Sequence, residues 1–169
     1  MTGPIGSEAL RPNPALDRLA PLVGEWRTTG THPLLPGTTF HGRTSVAWHE
    51  GGAFLAMRSE IDEPGIPSGT AIIGSDDAAG TFTMLYFDER GVSRRYTVEP
   101  AEDHVTWHRD EAGFAQRMTI TPSPDGRHLE ARGTMSRDGG PWEADLQLSY
   151  ERLDTGSPRG TQHGRADGG

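Results

Sequence analysis

The chain has 169 residues, a formal net charge of −8 and 33% hydrophobic residues, with Gly 23 and Pro 13. That mix suits many short strands joined by turns rather than a helical bundle, and the acidic balance opposes binding to nucleic acid or anionic lipid. There are no cysteines and all 16 basic residues are arginine, which excludes disulfides, thiol catalysis, lysine Schiff bases and phosphate-loop lysines.

No apolar run reaches about 18 residues, and the N-terminus lacks a charged-then-apolar leader. The expectation is a cytoplasmic protein with no membrane partner. Residues 1–13 are rich in Gly and Pro and are expected to form a disordered arm. Asn13-Pro14 then opens a short helix, with Asn13 as cap, Pro14 at the first helical position, and Leu16 and Leu19 as an apolar face. A helix this short must pack on something, such as the end of a barrel.

From Leu22 the pattern becomes β. Strands are expected near 24–31, 39–49, 53–62, 68–75, 80–88, 91–98, 104–109, 113–121, 127–135 and 142–152. Short turns such as Glu50-Gly-Gly52, Asp76-Asp-Ala-Ala-Gly80 and Pro124-Asp-Gly126 link them, so the topology is a meander. Asp88-Glu-Arg-Gly91 suits a type I turn with Gly91 in the left-handed position of a bulged hairpin. Closure removes exposed edges, which favours an up-and-down antiparallel barrel of about ten strands over a sandwich. The barrel is expected to occupy residues 14–153 as a single domain, followed by a disordered tail over 154–169. Two proline-stiffened loops, His32-Pro-Leu-Leu-Pro-Gly37 and Asp62-Glu-Pro-Gly-Ile-Pro67, break the regularity and are candidate rim loops.

Polar residues inside apolar strand faces mark the candidate site. Arg94 and Tyr96 lie between Val92 and Val98, Arg109 follows Val105 and Trp107, and Gln116 falls between Phe114 and Met118. A guanidinium held on such a face wants a carboxylate, from the protein or from a ligand. Arg94 and Tyr96 leave one face about 7 Å apart and can both reach one anion. The competing reading pairs the arginines internally, with Glu60 or Asp145.

Trp48 shares a face with Phe40 and Val46 and reads as inward. Arg58 and Glu60 are candidate inward partners of Arg94 and Arg109, although the opposite face, with Leu55, Met57 and Ile61, is at least as apolar. Met84 and Tyr86 alternate with Leu85 and Phe87, and periodicity does not choose between the sets. On the last strand, Trp142, Leu146, Leu148 and Tyr150 form the apolar face, which turns Asp145 outward.

His104 and His108 are about 13 Å apart on a strand, too far to share a metal, and no metal site is expected. His32 is a rim candidate, as a ligand contact or a general acid. No hydrolase, zinc-protease or dinucleotide motif is present.

Leu22-Val-Gly-Glu-Trp26 at the first strand and Tyr150-Glu-Arg152 at the last resemble the calycin barrels. The segments Gly30-Thr-His-Pro33, Phe54-Leu-x-Met-Arg-Ser-Glu60, Gly74-Ser-Asp-Asp77, Tyr86-Phe-Asp-Glu-Arg-Gly-Val-Ser-Arg94 and Ser136-Arg-Asp-Gly-Gly-x-Trp142 resemble an uncharacterised bacterial group within them, nitrobindin-like and fatty-acid-binding-like. The resemblance covers about residues 15 to 153. It implies a closed barrel in which Arg152 seals over Trp26 by a cation–π contact. It also implies that Asp145 faces the ligand, beneath an apolar outer shell suited to a homodimer.

Nitrobindins hold ferric haem through a histidine on the last strand, whereas this chain has Asp145 in the matching run Asp145-Leu-Gln-Leu-Ser-Tyr150. Carboxylate is a poor substitute for imidazole at haem iron, so the expectation is a barrel that needs no cofactor. The favoured function is binding of a small apolar or amphipathic molecule with an acid or carbonyl end. Arg94, Tyr96 and Arg109 would anchor it against Trp48, Trp107 and Phe114, with Arg58, Glu60 and Gln116 completing the cluster. The alternatives are haem-dependent chemistry on nitrogen oxides (peroxynitrite isomerisation) and a cofactor-free isomerase or cyclase using Tyr96 or His32. A binding protein is preferred to an enzyme.

Overall fold

The structure is a computed structural model that describes residues 12–76 and 80–154. The expectations for residues 1–11, the turn tip at 77–79 and residues 155–169 lie outside the described residues. A nine-residue 3-10 helix, Pro14–Leu22, precedes ten strands. The strands are β1 Gly24–Thr31, β2 Phe40–His49, β3 Phe54–Ile61, β4 Gly69–Asp76, β5 Thr81–Asp88, β6 Ser93–Pro100, β7 Val105–Glu111, β8 Phe114–Pro122, β9 His128–Arg137 and β10 Glu143–Arg152. Each pairs antiparallel with its sequence neighbours, and β1 also pairs with β10, so the sheet closes on itself. The fold is an all-β, ten-stranded, up-and-down barrel.

Closure rests on the first and last strands. Trp26 on β1 stands directly opposite Arg152 on β10. The Arg152 guanidinium carbon lies 4.2 Å from the Trp26 ring centroid. Arg152 also donates from Nη1 to the Val23 carbonyl at 2.9 Å and from Nε to the Gly126 carbonyl at 2.7 Å. Trp26 is fully buried and its Nε1–H donates to the Leu22 carbonyl at 3.0 Å. One arginine therefore ties the helix end, the seam and the β8–β9 turn together. Gly24 makes room for it: the residue has a φ of +152°, and an added Cβ would come within 2.2 Å of the Arg152 Nη1.

The 3-10 helix forms where its signals predict. The Asn13 side chain accepts from the Ala15 N–H at 3.0 Å, and Leu16, Leu19 and Leu22 are buried. They plug one end of the barrel against Trp26, Val46, Leu55, Ile73 and Val98. The β5–β6 turn also follows its sequence: Gly91 has a φ of +74° and its N–H donates to the Asp88 carbonyl at 2.9 Å.

Register decides the faces that periodicity left open. Val46 pairs with Met57 and Thr44 with Ser59, and paired residues share a face, so β3 turns Leu55, Met57, Ser59 and Ile61 inward. On β5, Phe82, Met84 and Tyr86 face in, while Leu85 and Phe87 join Ile72 on an exposed apolar strip. Trp142, assigned to the buried face from its spacing, lies instead outside β10, with the Arg117 guanidinium 4.3 Å from its ring. No helix among the described residues is long and apolar enough to cross a membrane.

Replacing Arg152 with Leu should lower the unfolding free energy by about 2–4 kcal/mol, because the cation–π contact goes and two carbonyls lose their donor. Arg152→Lys should recover only part of that, since one ammonium cannot span both carbonyls above the ring. Urea denaturation of the three proteins gives the comparison.

Candidate ligand-binding cavity

The end of the barrel away from the helix holds a cavity of about 550 Å³, within the usual range of small-molecule sites. Its walls come from the far halves of the strands, and both proline-stiffened loops reach it: Leu34 and Leu35 from one, Gly65, Ile66 and Pro67 from the other. Met57, Met84, Trp107, Met118 and Tyr150 supply apolar surface. Thr28 and Ser59 also line it, joined through Thr44 by hydroxyl contacts of 2.8 and 3.1 Å.

A polar arc crosses the opposite wall. The Tyr96 hydroxyl donates to the Gln116 Oε1 at 2.6 Å, and the Gln116 amide donates to the Asp145 Oδ2. The other carboxylate oxygen of Asp145 lies 3.0 Å from the His32 Nε2. The His32 Nδ1 accepts the Leu34 N–H at 3.1 Å, so the ring proton is on Nε2 and is donated to Asp145. Through these two contacts His32 ties its loop to the barrel wall. Burial pushes the Tyr96 phenol above its ordinary range, an effect opposed by the Arg94 guanidinium beside it. The phenol therefore stays protonated and remains a donor to Gln116.

Asp145 reaches the cavity through a bulge. The β9–β10 register shifts between Ala144 and Gln147, which leaves Asp145 and Leu146 together opposite Gly133. The interruption lets Asp145, Leu146, Leu148 and Tyr150 all line the cavity. The spacing argument that turned Asp145 outward fails because it assumed an unbroken period of two. Gln147 fills the gap in the ladder, donating to the Gly133 and Asp145 carbonyls at 3.1 and 3.2 Å. A Cβ on Gly133 would sit 2.7 Å from the Leu146 carbonyl oxygen.

Arg94 closes the arc at its other end. Its guanidinium carbon lies 4.5 Å from the Phe114 ring centroid, and that of Arg137 lies 5.6 Å from the same ring. Neither arginine forms an ion pair with any carboxylate among the described residues. Arg90, at the same mouth, is engaged: Nη2 and Nε grip the two oxygens of Asp88 at 2.6 and 3.2 Å. Asp88 also accepts from the Tyr86 hydroxyl at 3.0 Å. Hydrogen bonds from Arg90 hold the Asp88 carboxyl down at about 2, while burial and Asp88 raise the Tyr86 phenol.

Four residues assigned to the cluster from sequence do not line the cavity. Arg58 and Glu60 are exposed outside β3 and pair with each other at 3.1 Å, because the more apolar face of that strand won the interior. Trp48 faces inward but lies toward the helix-plugged end, packed on the core there. Arg109 shares the Trp107 face, yet its Nε–H donates to the Phe114 carbonyl at 3.1 Å across the β7–β8 turn. Arg137, Arg90, Ser59 and Thr28 were missed. Arg137 and Arg90 sit at turn edges, where arginine is ordinary; the two hydroxyls carry no spacing signal of their own.

The donor set does not fit haem iron. Both oxygens of Asp145 accept hydrogen bonds, and His32, the only histidine among the described lining residues, has both ring nitrogens engaged. In the same geometry the His32 Nε2–H is donated to Asp145 and the Tyr96 hydroxyl to Gln116.

Barrel, plug and polar-lined hollow together define a calycin-like barrel. Among solved structures, the chain is similar to Rv2717c from M. tuberculosis, with a TM-score of 0.60 and 19% sequence identity over 85% of this chain and 99% of that one. It is also similar to the S-type phycobiliprotein lyase CPES from Guillardia theta, with a TM-score of 0.51 and 10% identity over 85% of this chain and 94% of that one. At such identities the likeness establishes the fold. No family model and no curated protein matches the sequence.

Asp88 stabilises the mouth while it is ionised. Its folded value of about 2 lies below the ordinary 3.8, so the stabilisation is full above pH ~4 and is lost as pH falls through ~2. Arg90 is half exposed, so solvent screens the pair, and Asp88→Asn should cost about 1 kcal/mol at pH 7. The difference from the native protein should shrink steadily below pH ~4 in parallel urea titrations.

Proposed function

We propose that the barrel binds a small apolar or amphipathic molecule with an acidic or carbonyl end, held at the cavity mouth by Arg94. One observation carries this reading: a half-buried guanidinium on the wall of a cavity of about 550 Å³, without an ion-pair partner among the described residues. A cation removed from water without a counter-charge is costly, and a ligand oxygen offsets the cost. Methionine and aromatic surface deeper in the hollow suits an apolar body. Binding fits better than catalysis, because the acid–base candidates are engaged as structural donors, Tyr96 to Gln116 and His32 to Asp145. Tyr96 supports Arg94 more than it grips the guest, since its proton goes to Gln116.

Arg94→Met should weaken binding of a medium-chain alkanoate by about tenfold or more while leaving the melting temperature within a few degrees, as judged by calorimetric titration and thermal unfolding. An arginine paired inside the core would give the reverse pattern, a loss of stability with binding unchanged.

A further inference from the structure

The cavity holds a buried carboxyl group that no arginine among the described residues meets. Asp145 is 4% exposed and lines the hollow, and its hydrogen-bond partners are the Gln116 amide and the His32 Nε2–H. Two of roughly four lone-pair positions on the carboxylate are used. No arginine among the described residues pairs with it. The bulge at Asp145 and Leu146, with Gly133 opposite, is what aims this carboxylate inward.

Arg94 and Asp145 thus stand at the two ends of one arc, spaced by Tyr96 and Gln116. A guest with only an acid group would satisfy Arg94 and bring a negative charge close to the Asp145 carboxyl group. We propose that Asp145 receives an ammonium or other N–H-bearing cationic group, so that the natural ligand is bipolar, with an anionic group at Arg94 and a cationic one at Asp145. This rests on the Arg94-anchored reading and narrows it to a zwitterionic class. The other charges at the mouth do not supply the second contact: Arg90 is taken by Asp88, while Arg137 and Asp138 are exposed at the rim.

The test is calorimetric titration at pH 7 with linear ω-aminoalkanoates, from 4-aminobutanoate to 8-aminooctanoate, each against the alkanoate of equal chain length. Hydrophobic burial alone ranks the alkanoates first, because the amine adds charge and no apolar surface. The proposal expects at least one aminoalkanoate to bind about tenfold tighter than its alkanoate. Asp145→Asn should remove that preference by weakening the aminoalkanoates and, with the opposing charge gone, tightening the alkanoates, whereas Arg94→Met should weaken both series. Alkanoates binding as tightly as the amines throughout would overturn the proposal, and this wild-type comparison stands even if the variant folds poorly. Equal weakening of both series by Asp145→Asn would also overturn it, showing that Asp145 acts by holding Gln116 and Tyr96. If neither series binds the wild-type protein, or if Arg94→Met leaves the binding of both unchanged, the Arg94-anchored reading falls as well.

Discussion

Everything in this molecule depends on closing one sheet, and the β1–β10 ladder that closes it, from Trp26–Arg152 to Thr31–Gln147, is clamped at one crowded end. Arg152 lies over the Trp26 ring and donates to carbonyls of Val23, at the helix end, and Gly126, in the β8–β9 turn. The contact works only because Gly24 lacks a side chain, for a Cβ there would overlap the guanidinium. Once β1 and β10 are joined, no edge strand is left to pair with another molecule, and the inward faces of ten strands enclose a volume. The 3-10 helix fills one end of that volume with leucine. The other end stays open to polar chemistry.

That division sets what the interior can do. Near the plug the inward residues are Leu55, Ile73, Val98, Val105 and Ile120, all buried and close-packed. Toward the mouth β3, β5, β6 and β8 contribute Ser59, Tyr86, Arg94 and Gln116, each tied to a neighbour or to a ring. The arc from Arg94 to His32 is directional. Because Asp145 accepts from Gln116, the Gln116 oxygen must face Tyr96, and Tyr96 must donate to it. Charge is thereby held at both ends of a neutral bridge, and the His32 tautomer fastens a rim loop to one of them.

Much of the fold was legible because its signals are local. Turn residues punctuate the chain at each hairpin, Asn13-Pro14 caps the helix, and Gly91 takes the left-handed turn position. Trp26 and Arg152 found each other through the meander, since a closed barrel must set first beside last. The site was harder, because its determinants are not local. Arg58 and Glu60 were misplaced because both faces of β3 are apolar, and the choice is made by register with β2. Spacing turned Asp145 outward, against what the resemblance implied, because a bulge cancels the alternation, and that bulge depends on Gly133 of the neighbouring strand. Trp48 was inward as its period implies, but period says nothing about depth along the barrel. Arg109 has the right face and loses its availability to a backbone carbonyl across a turn.

The account stands on Arg94 being an available cation inside the barrel while Arg58, a similar arginine on the same molecule, is spent outside it. Nitrogen-15 labelling of the arginines and titration with octanoate, followed by NMR of the side-chain Nε–H signals, compares the two directly. The signal of Arg94 should move with saturable dependence on ligand and that of Arg58 should stay still. An unmoved Arg94, or both signals drifting together, would contradict the account.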